Sequence, residues 1–346
     1  MKKYSYFLPQ FYPTPENNKH WGKNFTDWVN VNNARPLFKD HQQKYQPGEL
    51  LGQYDLSDPQ KLEKVINYSN EINLDGLIYW HYWFGNNFNT LEKVQEEHLR
   101  NKKIKQNFCF AWANGDWTKS WKGDDQTTIF KQVYSKESAI SHFKYIKQFF
   151  QDKRYIRFNG NVLFQVNNVI SREVLNHMKI LDELTKKELG IRMHFIVPQH
   201  NLKFSLDNFI CSFSSYPPGE IYSPLVSYKL QRVLKILKIQ KIPVRISKKS
   251  YLRSFKRFTI KNPDTVPCLL SGWDNTPRYS YNGVVIEATI SELLKEQISI
   301  INKYSKKHNF ILIKAFNEWA EGNILEPHYI NQLFYEPGKE LEKLIG

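Results

Sequence analysis

Two acidic residues near the carboxyl end of the chain have the type and spacing for acid–base chemistry. Glu318 and Glu321 follow the apolar run Phe310-Ile-Leu-Ile-Lys-Ala-Phe and precede Gly322, so a predicted strand leads directly into a turn with both acids. Crowding and burial would push their pKa values apart, leaving one carboxyl as a proton donor and the other ionised. Such a pair can cleave a glycosidic bond near neutral pH. A solvated acidic turn is the alternative, which Trp319 between the two acids disfavours.

Polar and aromatic residues follow the other predicted strands as well. Amides, carboxylates and flat rings on one rim suit a sugar, whose hydroxyls need polar partners and whose C–H faces need aromatic surfaces. Because successive side chains of a strand point to opposite faces, about half of the run 81–84 is expected to pack against helices. The predicted substrate-binding residues are Gln10, His81, Tyr82, Trp83, Trp112, Asn114, Asp116, Asn167, His200, Tyr216, Trp273, Asp274, Asn317 and Trp319.

The tryptophans make this prediction specific. Trp83, Trp112 and Trp273 each stand at or near the end of a predicted strand, beside a polar residue. We therefore expect these three rings to line the cleft. Apolar strand residues such as Ile78 and Phe110 are expected to pack in the core.

The histidines and cysteines do not form a metal-binding pattern. The histidines lack the spacing of zinc ligands, and the three cysteines lie far apart inside apolar runs. The chain also has no Gly-rich dinucleotide turn and no phosphate-binding P-loop. The sequence therefore predicts no metal, no cofactor and no disulfide.

Strand and helix patterns alternate along the chain and predict a (β/α)8 barrel, which builds its active site at the carboxyl ends of its strands. A doubly wound open sheet is the rival fold. Helical patterns cover 59–73, 135–152, 171–190 and 291–308, with Ser57, Ser135 and Ser171 as predicted caps. The predicted strands are 5–12, 74–84, 108–115, 162–168, 193–199, 209–216, 266–273 and 310–319.

Composition is that of a globular protein in one domain, 1–346. The 346 residues are 41% hydrophobic and 24% charged, and no apolar run approaches the ~18 residues of a membrane span. Aromatic residues make up 15%, more than a core alone requires, so some rings are expected to face a ligand. Because Pro9 and Pro13 interrupt the first residues and no cleavage site follows, we predict no secretory signal and a cytoplasmic location.

Positive charge is concentrated in one segment, 221–263. The net charge is +15, and this segment contains twelve Lys or Arg and no acid. Within it, Val226, Leu230, Val233, Leu234 and Leu237 recur at helical spacing, which predicts a basic amphipathic helix in an insertion. Such a helix suits an anionic membrane surface, with an ordinary solvated face as the alternative. Nucleic acid is excluded as a partner because no DNA or RNA motif accompanies the charge. The predicted membrane or anion contacts are Arg232, Lys235, Lys238, Lys248 and Lys249.

Several stretches resemble one known family over nearly the whole chain. The WbsX family, encoded with bacterial O-antigen and capsule enzymes and similar to glycoside hydrolase family 99, has comparable sequences at these positions. They are Tyr6-Phe-Leu-Pro-Gln-Phe-Tyr-Pro, Trp21-Gly-Lys-Asn-Phe-Thr-Asp-Trp, Ile78-Tyr-Trp-His-Tyr-Trp-Phe, Trp112-Ala-Asn, Gly272-Trp-Asp-Asn-Thr-Pro-Arg and Asn317-Glu-Trp-Ala-Glu-Gly-Asn-Ile-Leu-Glu-Pro.

The resemblance implies a TIM barrel acting on surface oligosaccharide or polysaccharide, in free or lipid-linked form. In family 99 the first glutamate of the turn deprotonates the sugar's 2-hydroxyl and the second is acid and base. The reaction retains configuration through an anhydro-sugar. Carried over, these roles fall on Glu318 and Glu321 respectively.

Two positions depart from the family pattern and leave the reaction open. Gly115 stands where relatives have an acid, with Asp116 after it, and Asp27 replaces a commoner Glu. Hydrolysis and glycosyl transfer are both compatible with the resemblance. A transferase that uses a nucleotide-sugar and a non-catalytic glycan-binding protein on the same fold are the alternatives.

Overall fold

Eight parallel strands form the centre of the structure, a computed structural model that describes residues 1–85, 88–120 and 123–345. Each strand is a short apolar or aromatic run, as expected for strands covered on both faces. The strands are β1 Lys2–Phe7, β2 Gly76–Gly85, β3 Phe108–Trp112, β4 Asn161–Val166, β5 Met193–Pro198, β6 Ile210–Ser214, β7 Cys268–Leu270 and β8 Phe310–Lys314.

The strands pair in chain order and close into a barrel. β1 lies between β8 and β2, with Tyr4 opposite Leu312 on one side and Gly76 on the other. β6 and β7 meet through a parallel bridge between Ser214 and Val266, which completes the ring. The predicted (β/α)8 fold is therefore confirmed, and the open-sheet alternative is wrong.

Helices connect the strands and cover the barrel. Ser135 and Ser171 accept the cap hydrogen bonds of α5 and α6 as predicted, whereas α3 is capped by Asp58 and not by Ser57. A capping box between Thr289 and Glu292 begins α11. The helices are α1 Pro15–Trp21, α2 Asp27–Asn33, α3 Pro59–Glu71, α4 Lys93–Arg100, α5 Lys136–Phe150, α6 Arg172–Leu189, α7 Gly219–Tyr222, α8 Val226–Ile236, α9 Lys248–Lys261, α10 Thr276–Tyr279, α11 Ile290–Tyr304 and α12 Pro337–Ile345.

Most barrel strands are shorter than predicted, because the chain turns over the barrel end soon after each strand. β8 ends at Lys314, and the next residues form a separate two-residue strand, Asn317–Glu318, antiparallel to Asn323–Ile324. The other short strands are Tyr45–Pro47, Phe88–Thr90, Trp117–Lys119, Asp124–Phe130, Arg157–Phe158, Val244–Ser247, Val284–Glu287, His328–Ile330 and Leu333–Tyr335.

Side chains on β2 alternate between the barrel interior and the surrounding helices. Trp80 points inward and stacks on Tyr6 of β1, with ring centroids 5.2 Å apart. Tyr79 points outward, where its hydroxyl meets His98 of α4 at 2.8 Å. This alternation decides which residues of β2 reach the interior of the barrel.

The basic segment 221–263 contains two helices with different surroundings. α9 packs on the barrel through the buried Tyr251, Phe255 and Thr259. α8 has no buried residue. Between them, Val244–Ser247 pairs with Val284–Glu287 and anchors the segment beside the loop that follows β7. In the described ranges, no helix is long and apolar enough to cross a membrane.

Candidate functional site

Glu318 and Glu321 lie together at the carboxyl end of β8. Glu318 ends the short strand after β8, and Glu321 ends the 3-10 turn Trp319–Glu321. Gly322 then has φ +67, and a Cβ there would lie 2.9 Å from the backbone nitrogen of Asp274, so glycine is required. The turn directs both carboxyl groups to the same place, as the sequence predicted.

Glu318 is the member of the pair that favours the protonated form. Its side chain is buried, and its Oε1 accepts a hydrogen bond of 2.8 Å from Nε1 of Trp80. Burial raises the pKa of Glu318, and the nearby negative charge of Glu321 raises it further. The two carboxyl groups interact electrostatically, and this interaction favours a proton on Glu318 and a negative charge on Glu321.

Glu321 is held as a carboxylate by two cations. Nη1 of Arg278 lies 2.6 Å from its Oε1, and Nζ of Lys314 lies 3.5 Å from its Oε2. Burial alone would raise the pKa of Glu321, but Lys314 and Arg278 together outweigh it and hold the pKa below its usual range. The pair therefore carries one proton and one negative charge at neutral pH.

Asp27 fixes Arg278 from the opposite side. The guanidinium donates from Nη2 to Oδ2 of Asp27 at 3.1 Å, and the Asp27 side chain is fully buried. The backbone N–H of Ala320 also donates to Asp27, which ties this ion pair to the turn Trp319–Glu321. Because the guanidinium is clamped between Asp27 and Glu321, the position of Glu321 depends on residues from three distant parts of the chain.

Aromatic rings enclose Lys314. Its ammonium lies 4.7 Å from the ring centre of Tyr216 and 5.1 Å from that of Trp273. Tyr216 also meets Tyr6 and Trp80 edge to face. The floor of the site is thus a set of rings around a buried cation, with the two glutamates beside it.

A cavity of about 190 Å³ lies at the carboxyl ends of β2, β3 and β4. Tyr82, Asp116 and Asn167 line it, as the sequence predicted for the rim. Burial and the nearby Glu318 raise the pKa of Tyr82, so its hydroxyl stays a neutral hydrogen-bonding group. His200 stacks on Tyr216, with centroids 5.9 Å apart, at the exposed edge.

Three predicted cleft residues lie outside the barrel instead. His81, Trp83 and Trp112 point away from the interior and pack against α5 and α6, where Trp83 stacks on His142 at 5.0 Å. The imidazoles of His81 and His142 lie 2.9 Å apart. In the alternation along their strands, these side chains face outward, so they belong to a buried layer between the strands and the helices. Their prediction as cleft residues is wrong.

Three other predicted contacts are engaged in hydrogen bonds within the protein. Asn114 bonds the backbone of Asn168 through both ends of its amide, and Asn317 does the same with Leu8. Asp274 accepts from the backbone and hydroxyl of Thr276. These side chains hold the loops together and are not available to a sugar.

Gln10 and Trp319 are also buried away from the cleft. Gln10 accepts a hydrogen bond from Asn17 at 2.9 Å. Trp319 donates to the buried carboxyl of Glu326 at 2.5 Å. Both predictions are therefore wrong, because strand ends supply loop-stabilising residues as well as cleft residues.

Sequence reasoning did not assign Trp80, Lys314, Arg278 or Asp27 to the site. Because side chains alternate along β2, placing either Trp80 or Tyr82 in the barrel interior would have placed the other there too. Nothing local shows that Asp27 meets Arg278 across 251 residues of chain. In the described ranges, His, Cys, Asp and Glu side chains form no group of three or more that could hold a metal ion.

Comparisons with known proteins identify the family of the chain. A sequence model of the family described as "Glycosyltransferase WbsX" matches residues 3–335. The uncharacterized protein WxcX of Xanthomonas campestris pv. campestris, from strain ATCC 33913 and from strain B100, is 25% identical over 330 residues. The match covers 93% of this chain and 47% of the relative, so the chain spans about half the length of these curated proteins.

Solved structures share the fold. A GH99 endo-alpha-mannosidase from Bacteroides thetaiotaomicron, in complex with BIS-TRIS-Propane, has a TM-score of 0.55 at 16% identity, covering 99% of this chain and 94% of that one. A glycoside hydrolase-like protein has a TM-score of 0.60 at 10% identity, covering 98% and 92%. At these identities the similarity establishes the barrel fold alone.

Proposed function

Because the chain belongs to the family described as glycosyltransferase WbsX, we propose that it is a carbohydrate-active enzyme of bacterial surface-polysaccharide biosynthesis. Its substrate is an O-antigen or capsular oligosaccharide or polysaccharide, and Glu318 and Glu321 are the catalytic pair. The observation that carries the proposal is geometric: two carboxyl groups lie together after β8, and Glu321 is paired with Arg278 at 2.6 Å and with Lys314 at 3.5 Å. Burial raises the pKa of Glu318, and the two cations lower the pKa of Glu321. Paired carboxyls with separated pKa values are the machinery of glycosidic chemistry.

We assign the proton donor to Glu318 and the base to Glu321. Glu318 gives its proton to the leaving glycosidic oxygen as the bond from that oxygen to C1 breaks. Glu321 takes the proton of the sugar's 2-hydroxyl, whose oxygen bonds C1 to form an anhydro-sugar. The distribution of charge in the free protein supports this assignment, which reverses the roles implied by the family 99 resemblance.

The second half of the reaction restores both groups. An incoming hydroxyl gives its proton to the Glu318 carboxylate while its oxygen bonds C1. The bond from C1 to the 2-oxygen breaks in the same step, and the 2-oxygen recovers its proton from Glu321. Two displacements at C1 retain its configuration. With water as the incoming group the result is hydrolysis, and with a sugar hydroxyl it is transfer.

Transfer is the second candidate, because the family description names a glycosyltransferase. A nucleotide-sugar-dependent transferase needs a donor site, whereas the pair proposed here can act on an existing linkage. The discriminating experiment incubates the protein with surface oligosaccharides, with and without nucleotide-sugars, and follows product masses. Mass changes without a nucleotide-sugar support the proposal, and strict dependence on the donor contradicts it.

A second experiment separates the roles of the two acids. An aryl glycoside with a good leaving group needs no acid, so it should restore turnover to Glu318→Gln and not to Glu321→Gln. Restored turnover in Glu321→Gln alone would contradict the assignment of roles, but it would not contradict the proposal that both glutamates are catalytic. Restoration in neither variant, with a wild-type enzyme active on the same glycoside, would contradict an acid role for both.

We place this activity in the cytoplasm, at the inner face of the plasma membrane. Three cysteines without a disulfide, two of them buried, suit a reducing compartment.

A further inference from the structure

The helix α8 exposes the face that an amphipathic helix normally buries. Val226, Leu230, Val233 and Leu237 form one apolar stripe along the helix and its cap, and each is at least 50% exposed. Ile236, at the edge of the stripe, is 75% exposed, and Ile239 beyond the helix is 66% exposed. Burying such side chains stabilises a helix, so a stripe left in water indicates that something else covers it.

The polar side of α8 is the side attached to the protein. Gln231 donates to the backbone carbonyl of Arg245 at 2.8 Å and accepts from its N–H at 2.9 Å. Lys235 donates to the carbonyl of Ile242 at 2.7 Å and to that of Tyr281. These hydrogen bonds fix the rotation of α8 about its axis, so they hold the apolar stripe on the solvent-facing side.

Cations border the stripe. Lys229, Arg232, Lys238 and Lys241 are exposed, and no acid occurs in the segment 221–263. Two of the predicted anion contacts are engaged within the protein, Lys235 as above and Lys248 in an ion pair of 2.6 Å with Glu292. The four exposed cations beside the stripe are therefore the contact set proposed here. Lys249 is also exposed but lies on α9, outside 226–241, and its role as an anion contact stays a prediction.

The stripe lies on the same side of the barrel as the glutamate pair. Tyr228 of α8 packs on Tyr222 at 4.8 Å, and Tyr222 lies within electrostatic reach of both Arg232 and Glu321. Tyr281, whose carbonyl binds Lys235, follows Arg278 by three residues. A surface that covered α8 would therefore lie near the mouth of the site.

We propose that residues 226–241 dock on an anionic lipid bilayer, with the apolar stripe in the interfacial region and the four cations on the headgroups. Apolar and basic side chains together match this partner, and each cation near an anionic surface contributes about 1 kcal/mol of binding. A second copy of the chain would bring the same cations face to face, which favours the bilayer over a dimer. Resting on the proposed function, we further infer that the glycan substrate is presented from the bilayer, carried on a lipid.

Vesicle co-sedimentation tests the docking. The protein should sediment with vesicles of phosphatidylcholine and phosphatidylglycerol at 70:30 and not with phosphatidylcholine alone, and added salt should weaken the binding. Changing Lys229, Arg232, Lys238 and Lys241 to Glu should weaken it by at least about a thousandfold, since four cations contribute about 4 kcal/mol. Replacing Leu230 and Val233 by Ser should also weaken it, with melting temperature unchanged because both are exposed.

A matched variant controls for net charge. Changing the exposed Lys186, Lys187, Lys295 and Lys307 to Glu alters the net charge by the same amount, and this variant should bind nearly as the wild type does. Equal losses in both charge variants, or no sedimentation of the wild type, would overturn the proposal. So would a stripe variant that loses only self-association.

Catalysis and docking can fail separately. Glu321→Gln should sediment like the wild type, so an error in the catalytic proposal would leave vesicle binding intact. The four-cation variant should keep wild-type turnover on a short soluble glycan and lose it on a vesicle-bound one. Equal losses on both substrates would contradict presentation from the bilayer.

Discussion

Replacing Lys314 by methionine removes one of the two cations that hold Glu321 ionised. Methionine keeps most of the side-chain volume between Tyr216 and Trp273 and loses the ammonium. The Lys314 and Glu321 side chains are 7% and 15% exposed. This variant therefore tests the electrostatics of the site with little change in its packing.

The expected size of the effect follows from the separation. Two unit charges 3.5 Å apart interact by about 4–5 kcal/mol at an effective dielectric constant of 20, equivalent to about three pKa units. Arg278 stays in place at 2.6 Å and compensates part of the loss. Since Lys314 lowers the pKa of both glutamates, its removal should raise both midpoints of the pair, and the lower one by at least about one unit.

Carboxyl ¹³C NMR on glutamate-labelled protein measures these midpoints without a substrate. Glu318→Gln and Glu321→Gln assign the two signals, and Lys307→Met, an exposed lysine at the opposite end of the barrel, is the matched control. In the wild type, Glu321 should remain ionised through the acidic range while Glu318 titrates well above an ordinary glutamate. An unchanged lower midpoint in Lys314→Met, or a wild-type Glu318 already ionised at pH 5, would refute the reasoning.

Three further predictions concern burial and packing. Trp83→Ala should lower the free energy of unfolding by about 3–5 kcal/mol in denaturant unfolding, as expected for a core tryptophan. Tyr82→Ala should weaken glycan binding more than it lowers the melting temperature. The reverse pattern would contradict the placement of Trp83 in the core and Tyr82 in the cleft. Burial raises the pKa of Glu326 to about 8, so its contribution to stability is full below about pH 4.5 and is lost as the pH rises through 8. Glu326→Gln should therefore reduce the change of melting temperature between pH 5 and 8. A pH dependence equal to that of the wild type would contradict this role of Glu326. Trp80→Phe removes the hydrogen bond to Glu318 and should lower turnover about tenfold or more, with little change in unfolding.

The fold could be predicted because its signals are local. Each barrel strand is a short apolar or aromatic run, and the helix starts at Ser135 and Ser171 carry their own caps. The carboxyl ends of parallel strands share one rim, so the position of Glu318 and Glu321 followed from the fold. The end of the last strand could not be predicted from the sequence, because Asn317–Glu318 leaves the barrel and pairs with Asn323–Ile324.

The composition of the site could be predicted only in part. The run 81–84 contains the kinds of residue that bind sugars. Neighbouring residues of a strand face opposite sides, so an error of one position places a residue in the helix layer and not in the barrel interior. The sequence did not show that Trp80 faces inward. Asn114 and Asn317 resemble sugar-binding amides and serve as backbone staples instead. Arg278 joins Asp27 and Glu321 through contacts of long sequence separation, which no local pattern reveals.

The most direct test of the account is turnover of a surface oligosaccharide by the wild type beside Glu318→Gln and Glu321→Gln, followed by mass spectrometry without any nucleotide-sugar. The wild type should change the chain mass by whole sugar units. Both variants should remain folded at the assay temperature, with Glu321→Gln melting lower because Arg278 and Lys314 lose a buried partner. Both should lose turnover by at least about a thousandfold, since each removes one half of the acid–base pair. Wild-type turnover in either variant would contradict the central claim.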